Sequence, residues 1–384
     1  MTHAPPPPPI AAYAPDSFAL FTIQQRLPRM LADVRAQLAP RHRSDPRWAA
    51  LEAALLHAAP IDLEPLCAES TFWSDKLGSL VGRTWSDLSF FELEFLFQLA
   101  IRSIAHALEP GLDVFAAARR AALADALPRV ASAAESQSSR TLEEVLLRSA
   151  LGNAEDLSQL AGTRTGAAAV TLLHDQRPDL VSQLRSATGT IQLLADNAGS
   201  ELCFDLLLVD RLLTEQPGRI ELQLKPRPMF VSDALRSDVE ETVAAFERRA
   251  ELAGAGARLR SALDTGRLAL RAPDDWSEPR AMNALDPELE RALRSASLVL
   301  VKGDLNYRRF FEDRAWPADT PVQRASVALG MHAYGLRVLK SDSIVGLARA
   351  RVAELDANDP SWRSSGRYAI VQRIDAGPAA KSRS

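Results

Sequence analysis

The run Ile191-Gln192-Leu193-Leu194-Ala195 has the length and apolar character of a buried strand. It stops at Asp196-Asn197-Ala198-Gly199-Ser200-Glu201 and passes into the helical spacing of Leu202 to Leu213. A short apolar strand, a polar turn and a helix form the repeating unit of an open α/β sheet. In such sheets ligands bind outside the carboxyl ends of the strands, so the polar groups at this junction are site candidates.

The same grammar recurs downstream. Arg219 to Lys225 alternates toward Pro226 and is followed by Met229-Phe230-Val231-Ser232-Asp233. Ser297-Leu298-Val299-Leu300-Val301 runs into Lys302-Gly303-Asp304-Leu305-Asn306-Tyr307-Arg308. Further strands are expected at Tyr334 to Leu339, ahead of Lys340-Ser341-Asp342, and at Tyr368 to Gln372. Strands alternating with helices over residues 186–376 predict a largely parallel sheet covered on both faces. A single Asp after a strand is often only the N-cap of the next helix. Asp196, Asn197, Asp233 and Asp304 at three strand ends shift the reading toward a site.

Residues 16–185 have a helical pattern, with apolar side chains three and four apart in Leu31 to Leu38, Trp48 to Ala59, Leu88 to Leu108 and Asp113 to Leu127. Pro60, Pro65, Pro110, Pro128 and Pro178 punctuate it. Phe72-Trp73 and Phe90-Phe91 are expected to fill helix interfaces. Residues 1–15, with the proline run ending at Pro9, are expected to form a disordered, polyproline-like leader, and residues 377–384 an unstructured tail.

The 384 residues are 47% hydrophobic, enough for a sizeable core, and carry a formal net charge of −4. No basic stripe suited to a phosphate backbone is present, which argues against nucleic acid as a partner. No stretch approaches the roughly 20 apolar residues of a membrane span. The two cysteines, Cys67 and Cys203, lie in apolar contexts expected to be buried, with no His or second Cys at metal-ligand spacing. These features describe a reduced, cytoplasmic protein, and leave any protein partner unspecified. His174 and His332 are expected to be surface or satisfied core residues.

Two carboxylates and an amide oxygen form a hard, oxygen-rich donor set suited to Mg²⁺, Mn²⁺ or a similar divalent ion. Bound by Asp196, Asn197 and Asp233, such an ion would polarise a phosphoryl oxygen and acidify a water. The helix starts at Gly199-Ser200 and after Asn306 are expected to cradle an anion. Lys302, Arg308 and Lys340 would add positive charge, and Asp304 would be free for proton transfer.

Taken together, Asp196 to Leu202, Phe230-Val231-Ser232-Asp233 and Lys302 to Arg308 resemble the signature blocks of the metal-dependent damage-control phosphatase (DUF89) family. Gly152-Asn153-Ala154-Glu155-Asp156-Leu157-Ser158 resembles its Gly-Asn-x-x-Asp-Leu-Ser segment, and Ser365 to Gln372 its closing strand. The resemblance runs from about Phe72 to Gln372. Its nearest branch has an Arg-Thr-x-Lys motif and includes the acidic-residue methyltransferase-like proteins; here the motif reads Arg337-Val338-Leu339-Lys340. Val338 replaces the hydroxyl, and Leu151 stands where relatives often carry Trp.

The resemblance implies a Rossmann-like α/β/α sandwich with an N-terminal helical bundle, and a divalent metal (Mn²⁺, Ni²⁺, Co²⁺ or Mg²⁺) held by Asp196, Asn197 and Asp233. It implies that Glu201, Asp304, Leu305, Asn306, Tyr307, Arg308 and Lys340 face the substrate, with Asn153 and Asp156 bordering the pocket. The expected function is hydrolysis of small phosphorylated metabolites, sugar phosphates or damaged phosphometabolites, with Asp304 or Asp233 managing the proton. Water and a covalent Asp remain alternative nucleophiles. Two rivals stand: an S-adenosylmethionine-dependent carboxyl methyltransferase, although no Gly-rich cofactor loop follows the first strand, and a non-catalytic metal-binding module.

Overall fold

The structure, a computed structural model, describes residues 5–135, 141–152, 170–326 and 330–375. Among these, seven strands form one sheet: β1 (Thr171–Asp175), β2 (Ile191–Leu194), β3 (Ile220–Gln223), β4 (Leu268–Arg271), β5 (Leu298–Lys302), β6 (Ala333–Val338) and β7 (Tyr368–Arg373). Their order across the sheet is β1-β7-β6-β5-β2-β3-β4. Strands β4, β3, β2, β5 and β6 pair in parallel. Strand β7 runs antiparallel to β6, and β1 pairs in parallel with β7. The expected α/β class with a mostly parallel sheet and N-terminal helices is what the chain forms.

The sheet grows outward from β2 in both directions, through β3 and β4 on one side and β5 and β6 on the other. A topological switch point therefore lies between β2 and β5, where two connections leave in opposite directions and open a crevice. Strand β5 is apolar from Leu298 to Val301 because both its faces are covered. Leu298 and Leu300 pack with Leu146, Leu202 and Leu206 on one face; Val299 and Val301 pack with Trp276, Phe310 and Trp362 on the other.

The outermost strands β1 and β4 were not among the sequence expectations, and the α/β part accordingly begins before residue 186. Both are edge strands. Thr171-Leu172-Leu173-His174-Asp175 is at most half-buried, and Leu268-Ala269-Leu270-Arg271 is short; each is fixed by its neighbour's backbone rather than by its own periodicity.

The helix Phe90–Leu108 organises the N-terminal part. A reciprocal capping box between Ser89 and Glu92 starts it. Phe91, Phe95 and Leu99 join Ile23, Leu27, Trp48 and Trp73 in one core, which also takes in Met229 from the loop after β3. The helical part is thereby packed onto the carboxyl edge of the sheet.

Two expectations are corrected. The described part of the leader is docked, not disordered. Ile10 N–H donates to the Asp313 carbonyl at 2.9 Å, while the Pro8 and Ile10 carbonyls accept from Ala315 and Phe90 at 3.1 and 2.8 Å. Arg314 Nη1 donates to the Pro7 carbonyl at 2.8 Å. Proline lacks a donor but keeps its acceptor, so a proline run can serve as an edge where the neighbour supplies the N–H groups. Cys67 is exposed, whereas Cys203 is buried as expected, and both are free thiols. Among the described residues, no helix is long and apolar enough to cross a membrane.

At the switch point Asn306 Nδ2 donates to the carbonyls of Ala195 and Lys302, at 3.1 and 3.0 Å, tying the ends of β2 and β5 together. Asn306 is buried, so Asn306→Ala leaves acceptors unsatisfied. We expect a loss of about 2 kcal/mol in stability by urea unfolding, with the m-value unchanged.

Candidate active site

The switch-point crevice is a cavity of about 230 Å³, and both carboxyl-end loops contribute to it. Asp196 and Asn197 follow β2 directly. Their backbone is zipped to the loop after β3, with Ala198 N–H to the Ser232 carbonyl at 2.6 Å and Ala234 N–H to the Asp196 carbonyl at 2.8 Å. This antiparallel bridge sets Asn197 opposite Asp233.

The loop holding Asp233 is strained. Phe230 and Val231 have φ of +48° and +69°, and Ser232 N–H donates to the Phe230 carbonyl at 2.8 Å, forming a γ-turn about Val231. A β-branched residue pays a steric cost in this region, so the conformation persists only because neighbours impose it. Gln98 Oε1, from the Phe90–Leu108 helix, accepts from Phe230 N–H at 3.0 Å and is one such restraint.

Gly303 is required for a different reason. Its φ is +79°, and a Cβ there would lie 2.0 Å from Asp196 Cγ. The start of the helix Gly303–Phe310 thus closes directly over the Asp196 carboxylate.

The cavity floor is crowded with buried acids. Asp196 is pushed well above the ordinary carboxylate value by burial, then by the charges of Glu201 and Asp233, with Lys225 and Lys340 opposing. Asp233 is pushed up to about 6 by burial, with Lys225 opposing. Asn197 Nδ2 donates to Asp196 Oδ2 at 2.6 Å and Glu201 Oε2 at 3.0 Å, and its Oδ1 accepts from Ser232 Oγ at 2.5 Å. Asp233 Oδ2 is buried without a hydrogen-bond partner, because Lys225 Nζ, at 3.4 Å, is directed to the Trp276 carbonyl at 3.0 Å. Carboxylates forced together away from water, one with an orphaned oxygen, suit a divalent cation that replaces the missing donors. Among the described residues, no three His, Cys, Asp or Glu side chains group closely enough to hold a metal alone. The expected set is two carboxylates plus an amide.

Of the sequence candidates, Asp196, Asn197, Glu201, Asp233, Asp304, Leu305, Arg308 and Lys340 line the cavity. Asn153 and Asp156 lie outside the described residues. The remaining expectations are corrected. Lys302 is fully buried and points beneath the floor, with Nζ 2.8 Å from Asp205 Oδ1 and 3.1 Å from Glu201 Oε1. Burial opposes its charge, but those two carboxylates outweigh it and hold Lys302 above its ordinary value. Asn306 is the strand clamp described above. The second helix starts at Gly303, not after Asn306. Tyr307 is buried under Arg337, whose guanidinium stacks 4.0 Å from the ring, and its hydroxyl donates to Gln372 Oε1 at 3.1 Å.

Arg308 reaches the cavity wall with its guanidinium already committed. It pairs with Asp313 through Nε and Nη2 at 2.6 and 3.0 Å, and with Glu94 through Nη1 at 2.7 Å, above the rings of Phe90 and Phe91. Asp304 is likewise engaged, its Oδ1 accepting from Ser341 Oγ at 2.8 Å and facing Arg337 Nη1 at 3.0 Å. The two departures from the family pattern, Val338 and Leu151, touch in one small apolar cluster with Ala369, and Val338 lines the cavity. They amount to one local change of wall chemistry.

Sequence reasoning missed Lys225 behind Asp233, the Arg337–Ser341 pair that holds Asp304, and the helical-side wall of Phe18, Arg26 and Glu94. The first had a signal in a lysine ending an alternating strand just before Pro226. The wall residues had none, since they are remote in sequence.

The sequence model of the Damage-control phosphatase ARMT1-like domain matches residues 22–355. The chain belongs to this family. It is 32% identical over 247 residues to damage-control phosphatase ARMT1 of Mus musculus, covering 58% of this chain and 56% of that protein. Against the Homo sapiens protein it is 32% identical over 197 residues, covering 49% and 44%. The matches thus span about half the length of these curated relatives. In structure it shares the fold of a DUF89 family protein from Pyrococcus horikoshii, with a TM-score of 0.51 and 11% identity over 93% of this chain and 97% of that one.

Two outcomes follow from this geometry. Arg308→Met leaves Glu94 and Asp313 buried without their cation, and should cost about 3 kcal/mol or more in stability, read by denaturant unfolding. Loss of phosphate affinity with stability unchanged would contradict the structural role. Asp233 binds its proton more tightly when folded, because its value lies above the ordinary 3.8. Its contribution to stability is therefore full below about pH 4 and lost as pH rises through about 6. In metal-stripped protein, Asp233→Asn should gain thermal stability relative to the parent across that window; a constant difference in Tm would refute the shift.

Proposed function

We propose that this chain is a divalent-metal-dependent phosphomonoesterase acting on small phosphorylated metabolites, sugar phosphates or damaged phosphometabolites among them. The observation that carries the reading is the cavity floor, where buried Asp196 and Asp233 stand with an orphaned Asp233 oxygen below a wall bearing Lys340. Family membership supports it.

Asp196, Asn197 and Asp233 would hold the metal, drawn from Mn²⁺, Ni²⁺, Co²⁺ or Mg²⁺ by their hard oxygen donors. When bound, such an ion polarises a phosphoryl oxygen and lowers the pKa of a water. A ligating carboxylate must be ionised, so Asp233 does not also carry the proton. That task falls to Asp304. Ser341 and Arg337 both engage its Oδ1, which fixes the carboxylate and leaves Oδ2 to accept the proton of the attacking water. Lys340, at the exit of β6 and lining the cavity, offsets the charge that spreads over the transferring phosphoryl group. Glu201, held by Asn197 and Lys302, keeps the amide of Asn197 oriented. The cavity volume suits a small metabolite rather than a polymer. Free cysteines fit a reducing, cytoplasmic setting.

The test is phosphate release from p-nitrophenyl phosphate and a sugar-phosphate panel by metal-stripped protein, with Mg²⁺, Mn²⁺, Co²⁺ or Ni²⁺ restored singly. We expect metal-dependent turnover that falls by about a thousandfold in a folded Asp196→Ala variant. Lys340→Ala should raise KM about tenfold or more. Full activity in Asp196→Ala would refute the metal site. No release with any metal would favour a methyltransferase or a binding module.

A further inference from the structure

The cations that the sequence offers for an anionic substrate are mostly spent inside the protein. Lys302 is consumed by Asp205 and Glu201 below the floor, and Arg308 by Asp313 and Glu94 in the wall. Among the described residues, two cations besides Arg308 line the cavity. Lys340 comes from the sheet. Arg26 comes from the N-terminal helices, outside every block that carries the family signature.

Arg26 is placed by an unusual backbone feature. Thr22–Arg26 is a π-turn, closed by Leu27 N–H to the Thr22 carbonyl. Such turns insert an extra residue into a helix and recur at functional sites. Here Ile23 and Leu27 on either side are both buried in the core, while Arg26 is exposed. Among the described residues no salt bridge or side-chain hydrogen bond is formed by the Arg26 guanidinium; its charge acts from a distance on Glu94 in the same wall, a carboxylate already paired with Arg308. It lies 5.3 Å from the centre of the Phe18 ring. A guanidinium over an aromatic face is oriented and partly desolvated, with its N–H fork still available for bidentate pairing.

Phe18 is itself anchored across the cavity mouth, its N–H donating to Asp342 Oδ2 at 3.2 Å in the loop just after Lys340. Burial orders the site in depth. Asp196 and Asp233 are 9% and 3% exposed, so they form the floor, and exposed Arg26 stands at the mouth. A phosphate held on the floor would leave the far end of a small substrate facing Arg26 and Phe18.

We propose that Arg26, steadied by Phe18, is a specificity-determining residue that pairs with a second anionic group on the substrate, a carboxylate or another phosphate, at the end remote from the scissile ester. This rests on the phosphatase reading given above. It narrows the substrate class to small phosphomonoesters carrying a distal negative charge.

The experiment compares two esters of similar size, phosphoglycolate with a distal carboxylate and ethyl phosphate without one, using the full chain with Mn²⁺. Arg26→Ala should lower the ratio of kcat/KM for phosphoglycolate over ethyl phosphate by about tenfold or more, and Arg26→Lys should restore part of it. A ratio within about twofold of the parent's would overturn the inference, whether both substrates suffer equally or neither does. Calorimetry with phosphoglycolate and inorganic phosphate supplies a second readout. If the parent hydrolyses neither ester, binding decides this inference, while release from p-nitrophenyl phosphate and the sugar-phosphate panel decides the phosphatase reading separately. A tenfold weakening of phosphoglycolate alone in Arg26→Ala sustains it; equal binding by parent and variant overturns it.

Discussion

The constraint on which the rest depends is the burial of several carboxylates at one switch point. Asp196, Glu201 and Asp233 are brought together where β2 and β5 diverge, in a place too dry for their charges to be screened by water. Desolvation raises Asp196 and Asp233, and repulsion from the neighbouring carboxylates adds to it. The protein answers with cations set behind the acids, Lys225 behind Asp233 and Lys302 behind Glu201. A cavity-side cation would complete the compensation.

The backbone is organised to make that crowding possible. Gly303 removes the one Cβ that would occupy the Asp196 carboxylate, and Asn306 fastens the two strand ends so that the carboxylates cannot drift apart. The γ-turn at Val231 turns Asp233 inward at a conformational cost that packing from the Phe90–Leu108 helix offsets. The helical layer is therefore part of the site, since it supplies the restraint on this loop and the outer wall at Arg26 and Phe18.

The legible part of the fold was the part whose stability is local. β2, β3, β5, β6 and β7 were readable because central strands covered on both faces need short segments rich in apolar residues, run together or alternating. β1 and β4 were not, because an edge strand is selected by the partner that offers it hydrogen bonds. In the block Asp304 to Arg308 every residue is polar or large, and the family resemblance implied that all of them face the substrate. Helical geometry divides them. Asp304, Leu305 and Arg308 share one face and meet the cavity, whereas Asn306 and Tyr307 turn into the core. Placing the helix start at Gly303 instead of after Asn306 would have revealed the division.

The sequence by itself determined the sheet class, the strand ends that carry acids, and the family, because these reside in runs of neighbouring residues whose periodicity and order are fixed by the chain. Only the tertiary structure decided which charges remain available at the cavity. Arg308 and Lys302 look like anion binders in one dimension and are neutralised in three, by Glu94, Asp313, Asp205 and Glu201. Arg26 looks like an ordinary surface residue until the fold sets it beside the site. A charge acts through what lies within a few ångströms of it, and at that range the neighbours come from distant parts of the sequence.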